Sequence, residues 1–331
     1  MNELNSKVYR IVKNELGSVK VMIMAIMISF GLVLSIANFV ISVFNSADVA
    51  NKVKELIQSP YDAQTNNALS LTILVVMVIE VLLFLVNFIP LVLMAFGIYL
   101  IYENAKKTDG MVKTTGLKIV GGVMKYHGIV YFVYVGLFAI VAIALVVLTH
   151  GFTDKVASFL GSDDIEFIGS IKVLSVFLLF IVGIVAFVLI GIGVIFLSLS
   201  KTMKFVAGTQ YGKLEGKISG FGVAIMLLVG AHNLTSIFSG FSASAMSQED
   251  IQMMEEMFGG TVANIIVNMM PSDTIQFEML VISTAYAFFI GATQLLGAIT
   301  LVNMRSKINR AIQEQEFNNY GGDNFIGGNQ C

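Results

Sequence analysis

The chain is poor in the residues that most enzymes and disulfide-bonded proteins rely on. It has one cysteine, three histidines and three prolines among 331 residues, and only 13% of its residues are charged. The cysteine is the last residue, Cys331, so no intrachain disulfide or paired-cysteine metal site exists, and the three residues that follow a prenylated cysteine are absent. No GxxxxGK[ST], HExxH or GxSxG pattern occurs, which leaves no motif for nucleotide binding, zinc hydrolysis or a nucleophile elbow. A net charge of −2 gives no basic excess of the kind that nucleic-acid binding requires. Soluble domains carry roughly 25% charged residues. Here 56% of the residues are hydrophobic and the mean hydropathy is +0.83, so the lipid bilayer is the expected solvent.

Crossing a hydrocarbon core about 30 Å thick takes about 20 apolar residues in a helix. Six runs meet this requirement, at about 21–44, 69–102, 128–149, 173–199, 220–240 and 279–303. The second is too long for one straight crossing, and tilt, a kink at Pro90 or a cytoplasmic extension would absorb the excess. The first follows Lys7, Arg10, Lys13 and Lys20 as a signal peptide would, but it is longer than a signal core of about 7–15 residues. Sixteen Lys and Arg fall in the termini and alternate connections, against four (Lys52, Lys54, Lys155 and Lys172) on the other side. The positive-inside rule then puts both termini in the cytoplasm. Short loops and the lack of an organellar targeting segment point to a bacterial cytoplasmic membrane.

The sequence also repeats. KTTGLKIVGGVM at 113–124 and KLEGKISGFGVA at 213–224 agree at Lys113/Lys213, Gly116/Gly216, Gly122/Gly222 and Val123/Val223, and KNELGSVKVMIM at 13–24 places Lys13 in the same register. The even runs end alike, at Gly97, Gly193 and Gly297, each with a basic residue eight or nine positions on. A period of about 100 residues equals one out-and-back hairpin. The fold expected is therefore an all-α integral membrane domain over 1–315, with six transmembrane helices in three parallel-oriented hairpins (13–102, 113–199 and 213–303) about a pseudo-threefold axis. A Gly- and Asn-rich tail, 316–331, reads as disordered and cytoplasmic. Apolar residues at helical spacing in the outer loops (Val49, Val53, Leu56 and Ile57; Val156, Phe159 and Leu160; Ile251, Met254, Met257 and Phe258) suggest short amphipathic helices on the outer surface.

Polar groups inside spans are costly and often functional. Glu80 is the only acidic residue deep in a span, about ten residues or roughly 15 Å from its outer end. His232 and Asn233 lie at similar depth in the fifth run, Asn38 is shallower in the first, and Asn87 shares the Glu80 face seven residues on. These five form a candidate proton, ion or substrate site in the outer half of the bundle. The plainer reading makes them interhelical hydrogen-bond partners. One carboxylate and one histidine fall short of a metal ligand set, and no cofactor is expected.

On the cytoplasmic side, Lys13, Lys113 and Lys213 set topology or meet lipid headgroups. The segment 113–126 carries Leu117, Val120, Val123 and Met124 beside Lys118 and Lys125, a pattern that suits an anionic leaflet. The functional expectation is a transporter- or permease-like protein built around Glu80. The alternative is a non-enzymatic membrane scaffold that organises partners or lipids.

Overall fold

A computed structural model of the chain describes residues 3–57, 63–107, 113–160, 165–240 and 273–322. Among them all regular structure is helical: α1 (Glu3–Leu16), α2 (Val19–Ile57), α3 (Ala63–Lys106), α4 (Thr115–Leu160), α5 (Ile165–Gly208), a 3-10 turn (Thr209–Tyr211), α6 (Gly220–Gly240) and α7 (Asp273–Gly322). Five stretches are long and apolar enough to cross a membrane: Val19–Ser46, Met77–Lys106, Thr115–Ala144, Leu179–Tyr211 and Glu278–Asn318. The sixth expected span falls on α6, whose described apolar part, Gly220–Thr235, is shorter. Large apolar side chains along these stretches are exposed, among them Phe30, Phe44, Leu82, Phe180 and Phe187. Water would penalise such a surface, whereas lipid tails are as apolar as the side chains themselves.

The helices outrun the membrane. At about 1.5 Å per residue, the 39 residues of α2 reach nearly twice the thickness of the hydrocarbon core. The expected surface helices at 48–57 and 154–160 are therefore not separate elements but the last turns of α2 and α4. The apolar spacing fits either arrangement, and no proline interrupts 46–57 or 144–160, so continuing the helix avoids the cost of nucleating a new one. The third candidate, 251–258, lies outside the described residues. Pro90 sits inside α3 without ending it. The last helix continues to Gly322, past the boundary drawn at 316.

The chain divides into two compact units, 1–116 with 223–331, and 117–222. In the first, α2 and α3 lie antiparallel. Phe39 stacks on Phe84 at 3.9 Å between ring centroids near one end, and the Tyr102 hydroxyl donates to Met22 Sδ at 3.4 Å near the other. Against α7, α2 stacks Phe30 on Phe289 and brings Gly31 next to Ile290. α1 is amphipathic, and its spacing of Val8, Val12 and Leu16 buries one face against α7 and α3. Lys7 and Lys307 tie it further to α7, through Glu314 and Glu15 respectively. Gly17 N–H donates to the Lys13 carbonyl and ends α1. The Ser18 carbonyl then accepts from Val21 at 3.1 Å to start α2.

The second unit pairs α4 with α5, also antiparallel. Ser200 Oγ donates to the Gly121 carbonyl at 2.7 Å, Gly128 faces Gly193, and His127 and Tyr131 stack on Phe196. Its connection to α6 is held by hydroxyls. Ser219 Oγ accepts from Gly222 N–H at 3.1 Å as an N-cap and from Ser198 Oγ at 2.6 Å, while Ser219 N–H donates to Thr202 Oγ1 at 3.1 Å. Leu117, Val120, Val123 and Met124 are all buried within the protein. The apolar face of 113–126 is thus not available to a membrane surface, because α5 residues such as Ser200 and Met203 occupy it.

The aligned landmarks differ locally. Lys13 lies in the last turn of α1, whereas Lys113 and Lys213 are exposed in non-helical backbone. Gly116 is in the first turn of α4, close against Gly97 and Ile101, while Gly216 has φ +108 and packs on Phe205 four residues before α6.

Candidate functional site

Glu80 sits half-buried on α3 opposite a polar stripe of α2. Ser35, Asn38, Ser42, Asn45 and Ser46 recur at three- and four-residue intervals, which at 3.6 residues per turn confines them to about 100° of the helix circumference. Ser42 Oγ donates to Glu80 Oε1, and Ser46 Oγ donates to Glu80 Oε2 at 2.9 Å. Each carboxyl oxygen thus has its own hydroxyl. About one turn away, Phe39, Phe84 and Phe88 stack in succession, with centroids 3.9 and 4.9 Å apart, and form an apolar layer beside the polar one. Asn45, between the two serines in sequence, has its Oδ1 buried without a hydrogen-bond partner.

The five residues proposed from sequence have different neighbours. The hydrogen bonds to Glu80 come from α2, whereas Asn233 Nδ2 donates to Gln294 Oε1 on α7 at 2.9 Å. His232, its neighbour on α6, is exposed. Asn87 is also exposed and donates to the Leu83 carbonyl of its own helix at 2.8 Å. Asn38 is half-buried on the α2 stripe, one turn before Ser42. Ser42 and Ser46 were missed because serine is an unremarkable residue in an apolar helix. Their spacing of four, within a longer run of small polar residues at the same helical phase, is the signal that singles them out.

Around Asn233 the helices approach closely. A Cβ on Gly291 would lie 2.9 Å from Asn233 Cβ and 3.0 Å from the Gly230 carbonyl oxygen, and one on Gly230 would lie 3.1 Å from the Gly291 carbonyl oxygen. Only glycine allows the two backbones to come this close. The amide pair is therefore a neutral hydrogen bond next to a tight glycine crossing.

The Glu80 arrangement has different chemistry. A serine hydroxyl donates or accepts by rotating about one bond, so the same two hydroxyls can serve a carboxylate or a carboxylic acid without moving either helix. The stripe also presents oxygen atoms throughout, the ligand type that hard cations prefer. Among the described residues, no group of three His, Cys, Asp or Glu side chains is placed to hold a metal ion. Comparison with protein-family models, with characterised proteins and with solved structures yields no match to this chain.

Proposed function

We propose that the protein is a multi-pass, permease-like membrane protein with six spans in three hairpins and cytoplasmic termini, in which Glu80 takes up and releases a proton or a small cation. The observation that carries this reading is the pair of rotatable hydroxyls, one on each oxygen of a carboxyl group set deep in an apolar helix. Intramembrane acids with polar neighbours mark ion and proton pathways. The reading is non-enzymatic, since transport of a proton or cation needs an exchangeable group and a path but no nucleophile or oxyanion donor.

The hairpin register supports the repeat. Adding one hundred to Gly128 and Gly193, which face one another, gives positions 228 and 293, and the observed crossing is Gly230 with Gly291. This is the same antiparallel register, two residues further along. Phe39 opposite Phe84 likewise extrapolates to 139 opposite 184, within two residues of the α4–α5 register. Helix pairing thus follows the period more faithfully than the lysine and glycine landmarks do.

The scaffold reading is favoured by a different observation. His232 and Asn87 are exposed, and the Asn233–Gln294 bond joins α6 to α7 through two neutral amides. Reconstitution separates the two. Purified protein in vesicles under a potassium diffusion potential should admit protons, reported by trapped pyranine, or sodium, reported by a trapped sodium dye, and Glu80→Gln should stop the flux. If wild-type vesicles match empty ones with both dyes, the permease reading fails and the scaffold stands. Orientation is checked by impermeant maleimide on whole cells. Glu55→Cys, Asp163→Cys and Glu255→Cys should label in a Cys331→Ser background, while Lys113→Cys, Lys213→Cys and native Cys331 should not.

A further inference from the structure

The cytoplasmic-side charges of the two units are arranged differently. In the first unit they are mixed in sign and partly paired, with Lys7 on Glu314, Lys307 on Glu15 and Lys107 on Glu103. In the second, Lys118, Lys125, Lys201, Lys204, Lys213 and Lys217 are all exposed, with Glu215 as the one described acid at that end. Among the described residues, none of these six lysines forms an ion pair. Topology alone requires an excess of basic residues on this side, but it does not require one unit to pair its charges and the other to leave them open.

The lysines also continue the lipid-facing surfaces. On α5 the exposed stripe reads Phe180, Phe187 and Val194 at intervals of seven, exposed by 66%, 78% and 47%, and the next position at that interval is Lys201. Lys204 follows one turn on. On α4 the exposed face reads Lys118 and Lys125, then Ile129 and Val133, with exposed Tyr126 where interfacial aromatics are favoured. The opposite face of each helix holds the buried residues Leu117, Val120 and Met124 on α4, and Leu199, Thr202 and Val206 on α5. Along each stripe, a side chain suited to acyl chains gives way within two turns to an ammonium group at headgroup height.

We propose that this end of the second unit is a binding surface for anionic phospholipid headgroups, with Lys125 and Lys201 nearest the acyl chains and Lys118 and Lys204 above them. The ligand is a phosphate diester in the inner leaflet, held by unpaired ammonium groups while its tails lie on Ile129, Val133, Phe187 and Val194. The surface does not depend on the transport reading, since it uses neither Glu80 nor its partners.

The test uses the full chain reconstituted in phosphatidylcholine, with spin-labelled phosphatidylglycerol or phosphatidylcholine as the probe. Electron paramagnetic resonance gives the motionally restricted fraction of each probe. Wild type should favour phosphatidylglycerol by roughly fivefold, the worth of one lysine at the surface, and the preference should fall as salt rises. Lys118→Gln/Lys125→Gln/Lys201→Gln/Lys204→Gln should bring the ratio near one, and arginine at the same four positions should restore it. If the fourfold variant does not fold, Lys125→Gln and Lys201→Gln singly should each lower the ratio. A control, Lys106→Gln/Lys107→Gln/Arg305→Gln/Arg310→Gln in the first unit, should keep most of it. Soluble inorganic phosphate at millimolar concentration should not displace the lipid. No preference in wild type, equal loss in the control, or displacement by free phosphate would overturn the proposal.

Discussion

The contact between α2 and α3 and the contact between α6 and α7 solve the same problem by opposite means. Both join antiparallel apolar helices through a polar side chain at membrane depth. At α6–α7 the backbones meet at Gly230 and Gly291, and the Asn233–Gln294 bond fills the space beside them. At α2–α3 stacked side chains take the place of a glycine crossing among the described residues. Stacked phenylalanines form the packing, and the polar element is an ionisable group held by two hydroxyls. A neutral amide pair in a tight crossing has one good arrangement, whereas a carboxyl between rotors has two. A close, fixed packing and an ionisable group thus fall to different helix pairs.

Substitutions that attack each contact should separate these roles. The largest structural effect is expected from Gly291→Leu, whose side chain would collide with Asn233 and the Gly230 backbone. It should cost about 1–3 kcal/mol or more in reversible denaturation from detergent or bicelles. Gly183→Leu is the control, because nothing lies within 4 Å of a Cβ there. Next comes Glu80→Leu, which strands two serine hydroxyls and should cost about 1–2 kcal/mol, while Glu80→Gln keeps the shape and should cost less. Gln294→Leu removes one interhelical hydrogen bond, worth about 0.6 kcal/mol on average within membranes. The smallest change is expected from Ser46→Ala, since Ser42 still holds the other carboxyl oxygen. A Gln294→Leu cost larger than that of Glu80→Leu would reverse the assignment of roles.

Part of this arrangement was legible in the sequence. Apolar length located five of the six expected spans as helices long and apolar enough to cross a membrane, because a helix satisfies its own backbone in lipid over such a run. Glu80 was visible because an acid in the middle of an apolar run is rare. Its partners were not, because Ser42 and Ser46 are small and neutral, and more conspicuous polar residues at similar depth, His232 and Asn233, drew the assignment toward α6. Depth along a helix can be counted from sequence, but the direction a residue faces depends on which helix lies beside it. The docking of α1 was hidden for a related reason. Val8, Val12 and Leu16 have amphipathic spacing, yet they lie among Lys7, Arg10 and Lys13, which the positive-inside rule had already explained. The face at Leu117, Val120, Val123 and Met124 was correctly seen as apolar, but periodicity does not distinguish a lipid surface from a neighbouring helix.

The most direct test of the role given to Glu80 is the proton and sodium flux of vesicles carrying Glu80→Gln compared with vesicles carrying Gln294→Leu, each normalised to folded protein. The account predicts that Glu80→Gln is silent with both dyes while Gln294→Leu conducts at a rate close to wild type. Equal flux through both variants would contradict it, and would leave the Glu80 clamp as another tie between helices.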